Sequence, residues 1–151
     1  MPRTKLTAFD SYQFATEIRV RTTDLNYGGH LGNDRMLSLI HEARVAFLAS
    51  HGLTELDCGG ASLILGDAVL VFKAEAFAGD VLRFEVAAGE PGSRSFRLFF
   101  RVTRPADGVL VALVENGMVC YDYGSRQTRR VPDAVRSVCR PDGNAPRTAR
   151  D

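Results

Sequence analysis

The sequence predicts an α+β fold in which a curled antiparallel sheet of about five strands wraps around one long central helix. Residues 14–21 alternate between apolar and polar side chains, residues 34–53 repeat with a helical period, and residues 62–121 form apolar stretches separated by tight turns. A single amphipathic helix must bury its apolar face, and the sheet is the only partner that the sequence offers. We therefore expect the 151 residues to form one domain, with flexible tails at residues 1–11 and 140–151.

The first strand and the helix follow from their periods. A period of two with one apolar face predicts a half-buried strand over residues 14–21. Asn33 or Asp34 is expected to cap the helix, and Gly52 to end it in a left-handed conformation. The apolar positions of the helix share one broad face that consists of Met36, Leu37, Ile40, Ala43, Phe47 and Leu48, with Leu39 at its edge.

The rest of the chain is typical of strands. Residues 62–76 form a long apolar segment interrupted at Gly66 and Asp67, where a bulge is expected. The outer face of the sheet still carries Val71 and Phe99, which predicts a partner subunit or another cover. Turns at 78–80, 90–93 and 104–108 separate three further strands, which contain residues 82–86, 96–102 and 109–121. The last of these is almost wholly apolar, so we expect it to be central or covered on both faces.

Composition excludes several classes of function. A formal net charge of +1 gives no reason to expect a nucleic acid or an anionic membrane as partner, and there is no apolar run long enough to span a bilayer. The segment 1–10 lacks the apolar core of a signal peptide. The three cysteines form no CxxC pair, which predicts reduced, mostly buried thiols, no metal site and a cytoplasmic protein.

The segment "DLNYGGHLGND", residues 24–34, concentrates polar groups between the first strand and the helix. A turn alone needs about two such residues. Gly28, Gly29 and Gly32 allow close approach of the backbone to a ligand, so their N–H groups are expected to face a carbonyl oxygen, with the helix N-terminus adding partial positive charge. The loop is therefore predicted to form half of an active site.

The ordered set of motifs resembles the hotdog-fold acyl-CoA thioesterases of the 4-hydroxybenzoyl-CoA thioesterase type. That family has a pattern close to D-x-D-x-x-G-H-V-N-N, a helix with an acidic residue and Ala-Arg, and a P-A-x-x-G-D turn. The resemblance covers about residues 12–135, and an "RRVP" segment at 129–132 also fits it. The positions that match are Asp24, Gly29, His30, Asn33, Glu42, Ala43, Arg44, Gly79 and Asp80.

The resemblance implies a hotdog homodimer, often paired into a homotetramer, with active sites at the dimer interface. It implies hydrolysis of an acyl-CoA or acyl-carrier-protein thioester without a metal, a prosthetic group or any other cofactor. The acidic catalytic residue of many members lies four positions before the histidine, where this chain has Asn26. An amide cannot act as nucleophile or general base, so the base has moved or the chemistry has weakened.

Three residues are predicted to be catalytic. Asn26 would orient a water molecule, although an ordinary turn residue is the alternative. His30 would shuttle a proton, unless it only holds the loop. Glu42 on the helix is the candidate general base, with His41 as a weaker candidate and a solvated surface glutamate as the alternative. Asp24, Tyr27, Gly28, Gly29 and Asn33 are the predicted substrate-binding residues; for Asp24 we favour a role in fixing the loop, and for Asn33 the helix cap.

Two further expectations concern charge. Arg44 falls inside the apolar face of the helix and requires a buried carboxylate partner, for which Asp24 is one candidate, or a side chain that extends to solvent. Arginines for the phosphates of CoA would come from Arg94, Arg97, Arg101, Arg104, Arg129 and Arg130, although most are expected to be solvated. The rival functions are a hotdog dehydratase of 3-hydroxyacyl thioesters, with His30 and Glu42 as its pair, and a non-catalytic binder of acyl thioesters.

Overall fold

The computed structural model describes residues 3–140 and 149–150, so part of the predicted C-terminal tail lies outside the described residues. The secondary structure elements follow one another in the order β1 Thr4–Lys5, β2 Phe14–Arg19, a 3-10 turn Thr22–Asp24, α1 Asn33–Ser50, β3 Ser62–Phe72, β4 Val81–Gly89, β5 Ser95–Arg104, β6 Val109–Asp122, β7 Gln127–Thr128, α2 Asp133–Arg136 and β8 Ala149–Arg150. The short β1 pairs with β8 in a separate two-stranded ladder.

The main sheet is antiparallel throughout and has the order β2-β4-β5-β6-β3, with the short β7 on the end of β6. The expected five long strands and single long helix are thus confirmed. Strand β6 lies between β5 and β3 and is buried over residues 111–118, which confirms its predicted central position. The pairing of β3 with β6 shifts between Leu65 and Asp67, which confirms the bulge predicted there.

Helix α1 buries one face against the concave side of the sheet. The buried positions are Met36, Leu39, Ile40, Ala43, Arg44, Phe47 and Leu48. Leu39 is thus fully inside the core rather than at its edge, whereas Leu37 is only half-buried. The same core contains the inward side chains of β4, β5 and β6, with Leu82, Phe84, Leu98 and Phe100 essentially inaccessible to solvent.

The two ends of α1 are formed differently from each other. At the C-terminus Gly52 has a φ of 71°. The N–H of Gly52 donates to the carbonyl oxygen of Ala49, and the N–H of Leu53 donates to the carbonyl oxygen of Leu48. This left-handed cap confirms the prediction for Gly52. At the N-terminus the prediction was wrong, because the helix begins at Asn33 itself and the cap residue is Gly32, without a side-chain hydrogen bond.

The outer face at Phe99 is covered by the chain's own N-terminal segment, one of the covers that the sequence left open. Phe9 is buried, and its ring packs edge-on against Phe99 at a centroid distance of 4.8 Å. The guanidinium of Arg101 lies over the Tyr12 ring and donates to the carbonyl oxygen of Phe9. This contact is long-range in sequence, and neither periodicity nor turn residues predicts it.

Three smaller features complete the fold. The short helix α2 was not predicted, because four residues carry no detectable period. Cys58 and Cys120 are buried, as expected. Within the part of the chain that the structure describes, no helix combines the length and apolar character needed to cross a bilayer.

Candidate active site

The polar loop between the 3-10 turn and α1 closes on itself as a small hairpin. Leu25 and Leu31 form a β-bridge, and the N–H of Asn26 donates to the carbonyl of His30 at 2.9 Å. A turn follows, in which the N–H of Gly29 donates to the carbonyl of Asn26 at 3.1 Å. Gly29 has a φ of 80°, a conformation that favours glycine, so the residue type is required by the turn.

The hairpin brings the side chains of Asn26 and His30 together. Asn26 Oδ1 accepts a hydrogen bond from the N–H of Gly28 at 2.8 Å. A Cβ atom built on Gly28 would lie 3.2 Å from both Asn26 Oδ1 and His30 Nε2. The amide and the imidazole therefore flank the same glycine, and the absence of a side chain there leaves room for both.

The glycine N–H groups of the loop are already bonded within it. Gly28 donates to the side chain of Asn26, Gly29 to its carbonyl, and Gly32 to the carbonyl of Asp24 at 3.1 Å. The expectation that these three N–H groups point at a substrate carbonyl is therefore not supported. The first N–H groups of α1, beginning with Asn33, precede the first helical hydrogen bond and are the donors that remain at this end of the molecule.

Asp24 is the anchor of the loop. Its carboxylate is buried and accepts hydrogen bonds from the backbone N–H and the guanidinium of Arg21, the former at 2.8 Å. Burial raises the pKa of Asp24, but the hydrogen bonds and charge of Arg21 outweigh burial and leave the pKa below its usual value. These contacts agree with the favoured role of Asp24 in fixing the loop.

A cavity of about 380 Å³ opens beside the loop, between the N-terminus of α1 and the segment that follows β3. His30 and Asn33 contribute from the loop and the helix, and Lys73 and Glu75 from the other side. The remaining lining is mostly apolar and consists of Leu31, Met36, Phe72, Ala74, Ala76 and Val111. A mainly apolar pocket with a few convergent polar groups is the usual form of a small-molecule site.

The other predicted site residues lie at the surface of the chain. Tyr27 is fully exposed at the tip of the hairpin. Glu42 lies on the exposed face of α1. The pKa of Arg21 is raised chiefly by the hydrogen bonds that its guanidinium donates to Asp24, and the charge of Glu42 contributes in the same direction. The structure places Asn26 beside His30, and His30 and Asn33 line the cavity, whereas neither Asn26 nor Glu42 is among its lining residues.

The partner of Arg44 is Glu55, not the candidate Asp24. Arg44 Nε donates to Glu55 Oε1 at 2.5 Å, and Nη1 donates to the buried Asn116 Oδ1 at 2.8 Å. His41 Nε2 lies 3.0 Å from the other oxygen of Glu55. This cluster ties α1 to β6 and to the segment after the helix, so Arg44 and His41 have structural contacts away from the loop.

Most of the arginines considered for CoA phosphates have carboxylate partners. Arg97 pairs with Asp67 and Glu115, and Arg101 pairs with Glu85 at 2.9 Å. Arg104 binds Asp80 and Asp107. Within residues 3–140, no group of three or more His, Cys, Asp or Glu side chains is arranged to hold a metal ion.

Sequence reasoning missed Lys73 and Glu75 in the cavity wall. They follow an apolar strand as an ordinary charged segment, and nothing local marks them as part of a site. Their position depends on the hydrogen bond from the N–H of Leu31 to the carbonyl of Ala76, at 2.8 Å, which holds this segment against the loop. The one available signal was that Glu75 stands where the family's P-A-x-x-G-D turn has proline.

Comparison with known proteins identifies the family. The model of the thioesterase-like superfamily matches residues 20–138. The chain belongs to the thioesterase-like superfamily. No curated protein sequence matches it significantly.

Several solved structures share the fold of this superfamily member. It is similar to a 1,4-dihydroxy-2-naphthoyl-CoA thioesterase from Synechocystis, with a TM-score of 0.75 and 23% identity over 83% of this chain and 93% of the other. It resembles a gentisyl-coenzyme A thioesterase with a TM-score of 0.72 and 20% identity over 83% and 98% of the two chains. A hypothetical protein from Staphylococcus aureus, in complex with CoA, has a TM-score of 0.73 and 18% identity over 87% and 84%.

These likenesses establish the fold. The curled antiparallel sheet around a long helix is the hotdog fold that the sequence predicted. Family and fold together support thioester hydrolysis as the general activity of this superfamily member, which confirms the prediction of an enzyme of the thioester hydrolase class.

Proposed function

We propose that this chain hydrolyses the thioester bond of an acyl-CoA, or of a related acyl-carrier-protein substrate, at the cavity beside the loop. The observation that carries the proposal is that the Asn26 amide and the His30 imidazole flank Gly28 while His30 lines a largely apolar cavity. Two similar structures are thioesterases of aromatic acyl-CoAs, and a third was solved with CoA. Aromatic acyl-CoAs are therefore the first substrates to test.

Asn26 would act as a donor. Its Oδ1 accepts the N–H of Gly28, and its Nδ2 group is the donor that can bind a reactant oxygen. An amide N–H₂ can hold the oxygen of a water molecule or of the thioester carbonyl, but it cannot remove a proton. The proton acceptor must therefore be another group.

His30 is the base that the cavity offers. In the proposed reaction a water oxygen bonds to the thioester carbon while the imidazole takes one of its protons. The carbonyl electrons move to oxygen, and the first N–H groups of α1, beginning with Asn33, stabilise the resulting oxyanion together with Nδ2 of Asn26. The carbon–sulfur bond then breaks, and the imidazolium returns the proton to the leaving thiolate. The products are a carboxylic acid and free CoA.

Glu42 is the alternative base. Because it is exposed on α1 and does not line the cavity of its own chain, it would serve a cleft completed by a second copy of the chain. We include this homodimer, or a dimer of dimers, in the proposal. The edge strand β3 supports association, because its backbone has one free side and Leu65 and Phe72 are exposed on it. Tyr27, at the exposed tip of the loop, is then available to the substrate or to the second copy.

The mechanism requires no cofactor, because CoA enters as part of the substrate. Every proton transfer and every stabilising contact in it is assigned to a side chain or a backbone N–H of the protein. Gly28 and Gly29 contribute by shaping the loop around the reacting groups, and Asp24 by anchoring it through Arg21.

The test is a screen for thiol release over short, long, branched and aromatic acyl-CoAs. Asn26→Ala is expected to lower turnover at least about tenfold with the fold intact, as is His30→Gln where the imidazole is the base, or Glu42→Ala where a second copy brings this carboxylate to the loop. Asn26→Ser can retain the turn through its hydroxyl but has no amide donor, so it is expected to lose as much as Asn26→Ala. If Asn26→Ala and Glu42→Ala both leave thiol release unchanged, the assigned roles are wrong.

Two other outcomes of the screen would replace the proposal. Binding of acyl-CoA in calorimetry without thiol release over the whole panel would indicate a non-catalytic binding protein. Loss of absorbance from an enoyl-CoA without thiol release would indicate a dehydratase.

A further inference from the structure

The carboxylate of Glu75 faces His30 in the wall of the cavity. Glu75 Oε1 lies 3.9 Å from His30 Nε2, and both residues line the same space. The family's turn has proline at this position, whereas Gly79 and Asp80 of the same turn match the family pattern. The carboxylate is thus a departure of this chain, as is the amide of Asn26.

The backbone at Glu75 is held on both sides although the side chain is 65% exposed. The N–H of Leu31 donates to the carbonyl of Ala76 at 2.8 Å. His30 immediately precedes Leu31 and Glu75 immediately precedes Ala76, so this hydrogen bond holds the two backbones next to each other. Arg104 Nη1 donates to the carbonyl oxygen of Glu75 at 3.0 Å. The two side chains therefore start from fixed points on opposite walls of one cavity.

The turn after Glu75 is fixed as well. Asp80 Oδ2 accepts the N–H of Phe77 at 2.9 Å and also pairs with Arg104 Nη1 at 3.1 Å. Arg104 thereby joins the two ends of the turn, because the same guanidinium nitrogen contacts the carbonyl of Glu75. The segment has little freedom to carry the Glu75 carboxylate away from the loop.

We propose that Glu75 positions His30 for thioester hydrolysis, by accepting a hydrogen bond from Nε2–H directly or through one water molecule. This inference rests on the proposed function. A separation of 3.9 Å is longer than a hydrogen bond, and catalytic contacts often shorten only when substrate binds. With the proton held on Nε2, the imidazole presents an unprotonated Nδ1 to the attacking water, and the carboxylate stabilises the imidazolium that forms.

The arrangement supplies beside His30 a negative charge that position 26 lacks. Where the family pattern has an acidic residue, Asn26 can donate a hydrogen bond but cannot compensate a positive charge on the imidazole. Glu75 is the carboxylate in the cavity lining, and it faces Nε2 of His30, which leaves Nδ1 as the nitrogen that would take the proton from water. This chain differs from the family pattern twice, with Asn26 in place of an acidic residue and Glu75 in place of proline. One mechanism then explains both differences.

The decisive variant is Glu75→Gln, which keeps the size of the side chain and removes its charge. Its kcat for thiol release is expected to fall by about 10- to 100-fold, with KM within about twofold of wild type, because Glu75 acts on the chemical step through His30. Glu75→Asp keeps the charge on a shorter side chain and should recover part of the loss. The matched control is Glu90→Gln, since Glu90 is an exposed glutamate beyond the far end of β4 and should change nothing.

A double variant separates positioning from an independent effect. If Glu75 works through His30, then His30→Gln with Glu75→Gln should be no slower than His30→Gln alone. If kcat of the double variant falls by the product of the two factors found for the single variants, the inference is overturned. A Glu75→Gln variant with wild-type kcat would overturn it as well.

A second measurement does not depend on turnover. The NMR signals of the His30 imidazole, assigned by their loss in His30→Gln, should move in Glu75→Gln and stay in place in Glu90→Gln. Unchanged His30 signals in Glu75→Gln would overturn the pairing even in an inactive chain. If the wild-type chain releases no thiol, the proposed function and the catalytic use of the pair are both overturned. If the wild-type chain is active and Glu75→Gln is equally active, only this inference is overturned.

Discussion

Glu55→Gln tests whether the ion pair between Arg44 and Glu55 fastens α1 to the segment that follows it. The side chain of Arg44 is 8% exposed and that of Glu55 is 26% exposed, and the substitution removes the charge while it keeps the shape. Removing one partner of a fully buried pair costs about 3–5 kcal/mol. Since Glu55 is partly solvated and Asn116 still accepts from the guanidinium, we expect the free energy of unfolding to fall by about 2 kcal/mol.

The assay is thermal or urea unfolding followed by circular dichroism. In a domain of this size each kcal/mol shifts the melting temperature by about 2–4 °C, so a decrease of about 4–8 °C is expected. The control is Arg129→Gln, which removes the ion pair between Arg129 and Asp122, whose side chains are 52% and 38% exposed. Exposed pairs contribute less than about 1 kcal/mol, so the control should melt close to wild type.

The same pair predicts a dependence on pH. Burial raises the pKa of Glu55, but the hydrogen bond and charge of Arg44, together with those of His41, outweigh burial and hold the pKa below its usual value. A carboxyl group with a lowered native pKa stabilises the fold above its unfolded-state pKa, and the stabilisation is lost as the pH falls through the native pKa. The stability difference between wild type and Glu55→Gln should therefore be full near about pH 7 and shrink below about pH 4. A difference that is absent at neutral pH, or that persists unchanged to about pH 3, would refute the reasoning.

Two further predictions concern the loop and the thiols. Gly28→Ala places a methyl group 3.2 Å from both the amide oxygen and the imidazole that flank it, so thiol release should fall at least about tenfold. In Gly92→Ala the added methyl group meets nothing closer than 3.5 Å, so equal losses in both variants would show that close packing is not the cause. Burial raises the pKa of the Cys58 thiol to about 12 and also raises that of Cys120, so neither should react with a disulfide reagent until the chain unfolds. Rapid labelling of either cysteine in the native protein would contradict this and would also disturb the thiol-release assay.

The sequence predicted the elements whose signals are local. The period of two over 14–21, the helical period of α1 and the glycine at its end each depend on residues a few positions apart, and the structure contains all three. The order of the elements predicted a curled sheet around one helix, because a single long helix followed by strands leaves few ways to bury both apolar faces. The hotdog fold itself was implied by the resemblance to the thioesterase family. The anchoring role of Asp24 was also accessible, since its partner Arg21 is three residues away.

What the sequence could not provide are the partners that only the fold brings together. Glu55 lies in a segment without periodicity, so nothing singled it out as the partner of Arg44. Glu75 lies close to His30 because a backbone hydrogen bond joins the segment after β3 to the loop. The prediction that the N–H groups of the loop glycines face a substrate was wrong for a related reason. The hairpin uses those groups for hydrogen bonds within the loop.

Whether Glu42 serves the loop of a second copy can be decided by mixing two inactive variants. In a dimer with shared sites, an Asn26→Ala chain paired with a Glu42→Ala chain carries one intact site and one doubly defective site. Random pairing of equal amounts should therefore restore about a quarter of wild-type turnover. Asn26→Ala mixed with His30→Gln is the control, because both residues belong to the same loop and no pairing makes an intact site. If subunit exchange is demonstrated and the first mixture stays inactive, Glu42 does not act across an interface, and a base within one chain, which the cavity identifies as His30, is the consistent assignment.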